Sequence, residues 1–296
     1  MPLLPSEYFG SWYVVTLDNK PRILQSFNET YNASASVENK YIQGDIGSHI
    51  VNVEPAHYAT TINSPILLVE PNGTFYDVFD VLLENLSKVQ KPISTSNSSD
   101  FNYILQSGSI SLSSDSSNIT ANLESWKAFD DVQNFKTYNP EYEFIARTAK
   151  SFDIQFSMFG NDYLVNQGNL SISVSNEKLF YIPGSNNFYG NQTPLYSING
   201  YRVTGDITLI IKPDQFETLK LYNAQSPGVF SAAKRSVFLK VYHRSNSNNY
   251  DRTINLGDFL FQPTVELSIS ANQTITARIS FVTMFRRTSA ITYWFV

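Results

Sequence analysis

In "TVELSISANQTITARISF", residues 264–281, apolar and polar positions alternate. Val265, Leu267 and Ile269 fall on one side, and Glu266, Ser268 and Ser270 on the other. A period of two is that of a strand with one buried face, and "ISANQT" reads as the turn closing a hairpin. The same rhythm runs through "YILQSGSISLSS" and "NITANLESW" at 103–114 and 118–126. Two stretches change period. In "DVFDVLLENLSKV", Val78, Phe79, Leu82, Leu83 and Leu86 recur at helical spacing, which predicts a short helix near 77–89. In "PDQFETLKLY", Pro213 is suited to a first helical turn and Phe216 and Leu219 stand three apart, which predicts a helix over 213–222.

The pattern occurs twice. "NASASVEN" at 32–39 is echoed by "NLSISVSN" at 169–176, with Asn32 over Asn169. "YIQG" at 41–44 is echoed by "YIPG" at 181–184, and "YATTINSPILLVEP" at 58–71 by "YRVTGDITLIIKP" at 201–213. "NITANLESW" is echoed by "TITARISF" at 274–281. The echoes keep their order at spacings of 137, 140, 143 and 156 residues, as a duplication with loop insertions would. The expected architecture is mainly β, with two tandem β-sandwich or barrel domains, each carrying one short helix. A first domain is expected over 1–126, a linker over 127–162 and a second domain with a C-terminal strand over 163–296. Residues 25–126 and 165–285 should superpose. Asn139-Pro140 and Gly160-Asn161 mark turns in the linker, and "KPISTSNSSDFN" at 91–102 reads as an exposed loop.

Composition agrees with a β protein. Charged residues make up 16% and aromatics 14%, while apolar residues reach 42%, too many for a disordered chain. The absence of cysteine excludes disulfides, thiolate catalysis and cysteine–metal sites. No apolar run is long enough for a membrane-spanning helix. "MPLLPSEYFGSWYVVTLDNK" lacks a basic start and a long apolar core, so it is not expected to act as a signal peptide. The N-x-[ST] sequons at Asn28, Asn32, Asn72, Asn85, Asn97, Asn118, Asn169, Asn191 and Asn272 then read as by-products of an Asn/Ser/Thr-rich chain.

Candidate chemistry is sparse. His49, Glu54 and His57, with Asp45 near, contain ligand types that suit zinc, but their spacing matches no helical zinc motif. Together with His243 they read as exposed loop residues. Asp130–Asp131 and Glu141–Glu143 are carboxylate pairs of the kind used in sugar hydrolysis, in a stretch where solvated acids are the ordinary reading. Trp12, Trp126, Trp294, Tyr181 and Tyr189 are candidates for stacking on sugars, although aromatics at strand spacing are more often core. No G-x-S-x-G, Walker-A or dinucleotide fingerprint occurs. The expectation is no catalytic centre, no cofactor and no metal. Charge is divided unevenly: residues 1–150 hold 9 basic and 17 acidic side chains, and residues 151–296 hold 12 and 9. Halves of −8 and +3 suit contacts between neighbouring subunits, while the scattered basic residues do not suggest a nucleic-acid-binding domain.

"LYSINGYRVTGDITLIIKPDQFETLKLYN" at 195–223, with the hairpin at 264–281 after it, resembles the tube domain of phage tails and contractile injection systems. The resemblance covers most of 165–285 and, more loosely, 25–126. It implies a small β-sandwich or barrel with one packed helix, in rings that line a channel for DNA or effectors. The duplicated layout looks most like baseplate hub proteins, where two tube domains per chain let a trimer imitate a six-fold ring, although the insertion domain of the larger hubs is missing. The resemblance further implies a virion component, made in the host cytoplasm, that assembles with itself as a trimer or hexamer and with other tail or baseplate proteins. DNA would pass without sequence-specific binding, and no membrane would be involved. The apolar end "ITYWFV" fits such packing. A carbohydrate-binding β-sandwich of the receptor-binding or adhesin kind is the alternative, and a glycan hydrolase a more distant one.

Overall fold

The computed structural model describes residues 13–17, 20–32, 35–39, 49–53, 56–69, 77–79, 93–95, 98–127, 146–158, 160–179, 195–224, 236–242, 250–257, 259–270, 273–284 and 293–295. In chain order the strands are β1 (Tyr13–Leu17), β2 (Lys20–Leu24), β3 (Ser26–Asn32), β4 (Ala35–Asn39), β5 (His49–Val53), β6 (Ala56–Pro65), β7 (Leu67–Val69), β8 (Ile93–Thr95), β9 (Ser98–Leu112) and β10 (Asn118–Lys127). They continue as β11 (Ala146–Thr148), β12 (Ile154–Met158), β13 (Asn161–Leu179), β14 (Leu195–Ile210), β15 (Val237–Tyr242), β16 (Tyr250–Gly257), β17 (Phe259–Ser268), β18 (Thr276–Met284) and β19 (Tyr293–Phe295).

Alternation is carried through into burial. On β14, Val203, Ile207 and Leu209 are buried, with Thr204, Asp206 and Thr208 between them on the other face. On β13 the parity reverses: Tyr163 and Val165 are buried, then Leu170 and Ile172. A bulge between Val165 and Gln167 absorbs the change, because one extra residue turns every later side chain to the opposite face. The bulge is also where β13 changes neighbours. Its first residues pair with β12, and Gly168–Ser173 pair with β9.

The protein is mainly β, with one sheet curled into a half-barrel. Two four-strand runs within this sheet share one order. The first is β3·β6·β10·β9 and the second is β13·β14·β18·β17, antiparallel throughout. They join where β9 pairs with β13. Both runs carry a bulge at the same place. On β10·β9 the register slips after Asn122↔Ser107, and on β18·β17 after Ser280↔Thr264. The middle strands also end alike: Ile66 N–H donates to Ser117 O at 2.7 Å, and Ile211 N–H to Ile275 O at 3.0 Å.

These correspondences differ from the sequence echoes in register. Ile66 matches Ile211, two residues from where the echo of 58–71 and 201–213 sets it, and Ser117 matches Ile275, again two away. Asn169 matches Asn28, not Asn32, because Asn28 faces Thr61 as Asn169 faces Asp206. Each displacement is an even number, so every side chain keeps its face.

The core is one cluster spanning both runs, from Leu24, Ile62, Phe79 and Ile110 to Phe156, Ile207, Val265 and Ile279. Burying each such side chain stabilises the fold by about 1.5–3 kcal/mol. Gly205 makes room within it. A Cβ there would lie 2.6 Å from Leu170 Cδ2 and 2.5 Å from Cε1 of the Phe281 ring, which packs on Phe156 with centroids 5.0 Å apart. The helix expected over 213–222 spans Pro213–Ala224. Gln215 Oε1 accepts from Lys212 N–H, Gln215 Nε2 donates to Asp162 O, Leu219 is buried, and Phe216 packs against the core. Of the helix expected near 77–89 only Asp77–Phe79 are described, and Phe79 is helical. Both "YIQG" and "YIPG", which belong to the echoes, lie outside the described residues.

The 127–162 segment, expected as a linker, contributes strands over its described part, β11 to a separate two-stranded sheet and β12 to the large one. β11 pairs with β7, and β12 lies between β13 and β15. Ala149, fully buried, donates to Ile66 O at 2.7 Å and accepts from Ser117 N–H at 2.8 Å. The strand ends at Ile66 and Ser117 leave backbone groups that a sheet cannot pair, and the returning chain satisfies them. The stretch 91–102 is likewise not simply a loop, since Ile93–Thr95 pair with β9.

Candidate functional site

The sequence candidates do not gather. His49 opens β5 in a separate two-stranded sheet with β4, whereas His57 lies on β6 in the large sheet. Asp45, Glu54 and His243 lie outside the described residues. Among the described residues no three His, Cys, Asp or Glu side chains are placed to hold a metal. His57 is a half-buried strand residue, not the exposed loop residue that its polar surroundings suggest. Its Nε2 stands 3.1 Å from Oε1 of the buried Glu124. Trp126 is on β10 opposite His57, and Trp294 is on β19 opposite Tyr196. Trp12, Tyr181, Tyr189, Asp130, Asp131, Glu141 and Glu143 lie outside the described residues.

What the sheet does gather is a polar face. Opposite the core, the first run carries Ser26, Asn28 and Thr30 on β3, Thr61 and Asn63 on β6, Thr120 and Asn122 on β10, and Ser107, Ser109 and Ser111 on β9. The side chains tie neighbouring strands together. Thr61 donates to Asn122 Oδ1 at 2.9 Å, and Asn122 Nδ2 donates to Ser107 Oγ at 2.9 Å. One row on, Thr120 donates to Asn63 Oδ1, and Asn63 Nδ2 donates to Ser26 Oγ at 2.8 Å. The junction continues the face: Ser107 is opposite Ser173, Ser109 opposite Ser171, and Ser111 opposite Asn169. Across these rows every group is a neutral hydroxyl or amide.

The second run places charge on the same face. Arg278 donates from Nε and an Nη to both oxygens of Asp206, at 2.7–3.1 Å, and Ser280 Oγ donates at 3.2 Å. Arg278 also faces Glu266. The hydrogen bonds from Arg278 hold the Asp206 carboxyl below its ordinary pKa, and the same contact raises the guanidinium.

Elsewhere lies a buried ionic group that no sequence motif announces. Asp77 is fully buried; its Oδ1 accepts from Phe79 N–H at 3.1 Å and from Arg252 at 2.7 Å, and its Oδ2 from Leu67 N–H at 2.9 Å. Arg22, also buried, donates to Asp77 O at 2.8 Å, and Arg252 stacks over Phe79 at 5.4 Å. Arg252, on β16, is 175 residues from Asp77, and no local pattern links them. The polar face was more accessible, since "SGSIS", "NITAN" and "NLSIS" all repeat Ser, Thr or Asn at every second position.

The run of eight strands leaves two outer edges. Among the described residues β3 pairs with β6 alone, and β17 with β18 alone. Neither β3 nor Thr264–Ser268 contains Lys, Arg or Pro, the residues that usually blunt an exposed edge. Compared with known proteins, the chain matches no protein-family model and no curated protein sequence.

Proposed function

We propose that this chain is a structural virion protein of a phage-type tail, a tail tube or baseplate hub component that forms a ring around a channel for DNA. The observation that carries the reading is the head-to-tail union of two four-strand units of identical order, joined by β9 and β13, with an edge at each end among the described residues. Each unit is read as one tube-like domain. A unit that can join its own twin through one edge can join a second chain through the same edges. With two units per chain, a trimer has pseudo-six-fold symmetry and matches a hexameric tube without a symmetry break.

The neutral rows of the first run and the junction suit a channel wall. Affinity for nucleic acid scales with the number of phosphates neutralised by Lys and Arg, so Ser, Thr and Asn wet the surface without holding a polyanion. The −8 and +3 halves attract across each junction and steer assembly, with strand pairing and apolar burial supplying most of the affinity.

Electron microscopy of the purified protein, alone and mixed with the other components of its particle, tests the proposal. The expected result is a ring or tube with an open lumen, three chains to a ring. Six chains would overturn the pseudo-six-fold arrangement and keep the tube. A protein that stays monomeric at high concentration, and makes no interface with those components, would overturn the whole reading.

A further inference from the structure

The internal junction specifies how two copies would meet. In the correspondence between the runs, β13 matches β3, with Asn169 over Asn28, and β9 matches β17, with Ser107 over Thr264 and Ser111 over Ser268. The junction pairs Ser111 with Asn169, Ser109 with Ser171 and Leu112 with Gly168. Carried over to the outer edges, those pairs become Ser268 with Asn28, Glu266 with Thr30 and Ile269 with Phe27. We infer that β17 of one copy pairs antiparallel with β3 of a second copy of this chain, in the register that sets Ser268 opposite Asn28.

Three observations favour this occupant and this register. The Ser–Asn pair of the internal junction recurs as a Ser–Asn pair on the polar face. Ile269, 59% exposed, is the one large apolar side chain left in solvent among the described residues, and this register brings it opposite Phe27. Both edges lack the charges that deter pairing, so an extending strand meets no repulsion beyond one Glu on each side. The inference rests on the ring reading, and it adds the two strands and their alignment.

Cysteine cross-linking tests it on a clean background, because the chain has no cysteine of its own. Asn28 and Ser268 are both exposed, so Asn28→Cys with Ser268→Cys should leave the fold intact. Facing strand positions bring Cα atoms within disulfide range, about 4.4–6.8 Å. Mild oxidation of the assembled double variant is expected to give covalent ladders of whole chains. Asn28→Cys with Glu266→Cys, displaced by two residues, should cross-link at least ten times more slowly. Ile269→Asp should weaken assembly at least tenfold while leaving the circular dichroism of the monomer unchanged. Rings that form and never cross-link at 28 and 268, or that cross-link faster at 28 and 266, would overturn the inferred register and leave the ring reading standing. If no variant and no wild-type sample assembles, alone or with the other components of its particle, the inference falls together with that reading.

Discussion

The two four-strand units reach one backbone arrangement with different side chains. In the first, the polar face is a ladder of amides and hydroxyls, with Asn122 linking Thr61 to Ser107. In the second, the corresponding strands carry the Arg278–Asp206 pair. The core faces match more closely, with Ile62 over Ile207 and Leu123 over Phe281, although Gly205 stands where the first unit has Thr60. Strand order and the bulge therefore do not depend on any one polar contact. They follow from alternation and from the place where alternation is interrupted. Among the described residues a side-chain tie runs between the halves. The second has the helix Pro213–Ala224, while of the matching segment in the first only Asp77–Phe79 are described, and there Asp77 is held by Arg252, a residue supplied by the second half.

That tie sets the largest predicted effect. Asp77→Ala leaves Arg252 without its carboxylate and strands the N–H groups of Leu67 and Phe79. Removing one partner of a buried pair costs about 3–5 kcal/mol. Urea denaturation should show that loss. A double-mutant cycle with Arg252→Ala should show strong coupling, because either single substitution already removes the contact between the two side chains. Additive single losses would mean that the two halves are not tied together at this point.

A comparison of matching core positions is next in size. Ile62→Ala and Ile207→Ala both empty fully buried sites, each at a cost of about 2–5 kcal/mol. If the units are equivalent in packing, the two losses should agree within about 1 kcal/mol by denaturant midpoint. A much smaller loss at Ile62 would show the first unit to be the looser one.

The smallest effects belong to the polar face, and they separate the units by pH. Asn122→Ala removes two neutral hydrogen bonds and should cost about 1–2 kcal/mol at every pH. Asp206→Asn should cost little at neutral pH, since the pair with Arg278 is largely exposed to solvent. Its signature lies in acid. The folded carboxyl has a lowered pKa, so its contribution is present above the unfolded value of about 4 and fades as pH falls through the lower folded value. Acid titration of stability should therefore lose a shallow component in Asp206→Asn and keep it in Asn122→Ala.

Alternation in the chain determined the fold class and the recurrence of strands, because burial of one sheet face forces a period of two, and the change of period after Pro213 marked the helix. It also sets Ser107 with Ser109, and Ser171 with Ser173, on one face of their own strands, while the pairing of β9 with β13 makes those faces one. Registers were beyond its reach. In Ser-rich strands a slip of two or four residues leaves every side chain on its face, so "NASASVEN" and "NLSISVSN" align as text and not as structure. The role of 146–158 was hidden for a related reason. Ala149 matters through backbone hydrogen bonds to Ile66 and Ser117, which no side chain announces. The Asp77–Arg252 pair and the β9·β13 junction join residues far apart in the chain, and only the closing of the sheet brings them together.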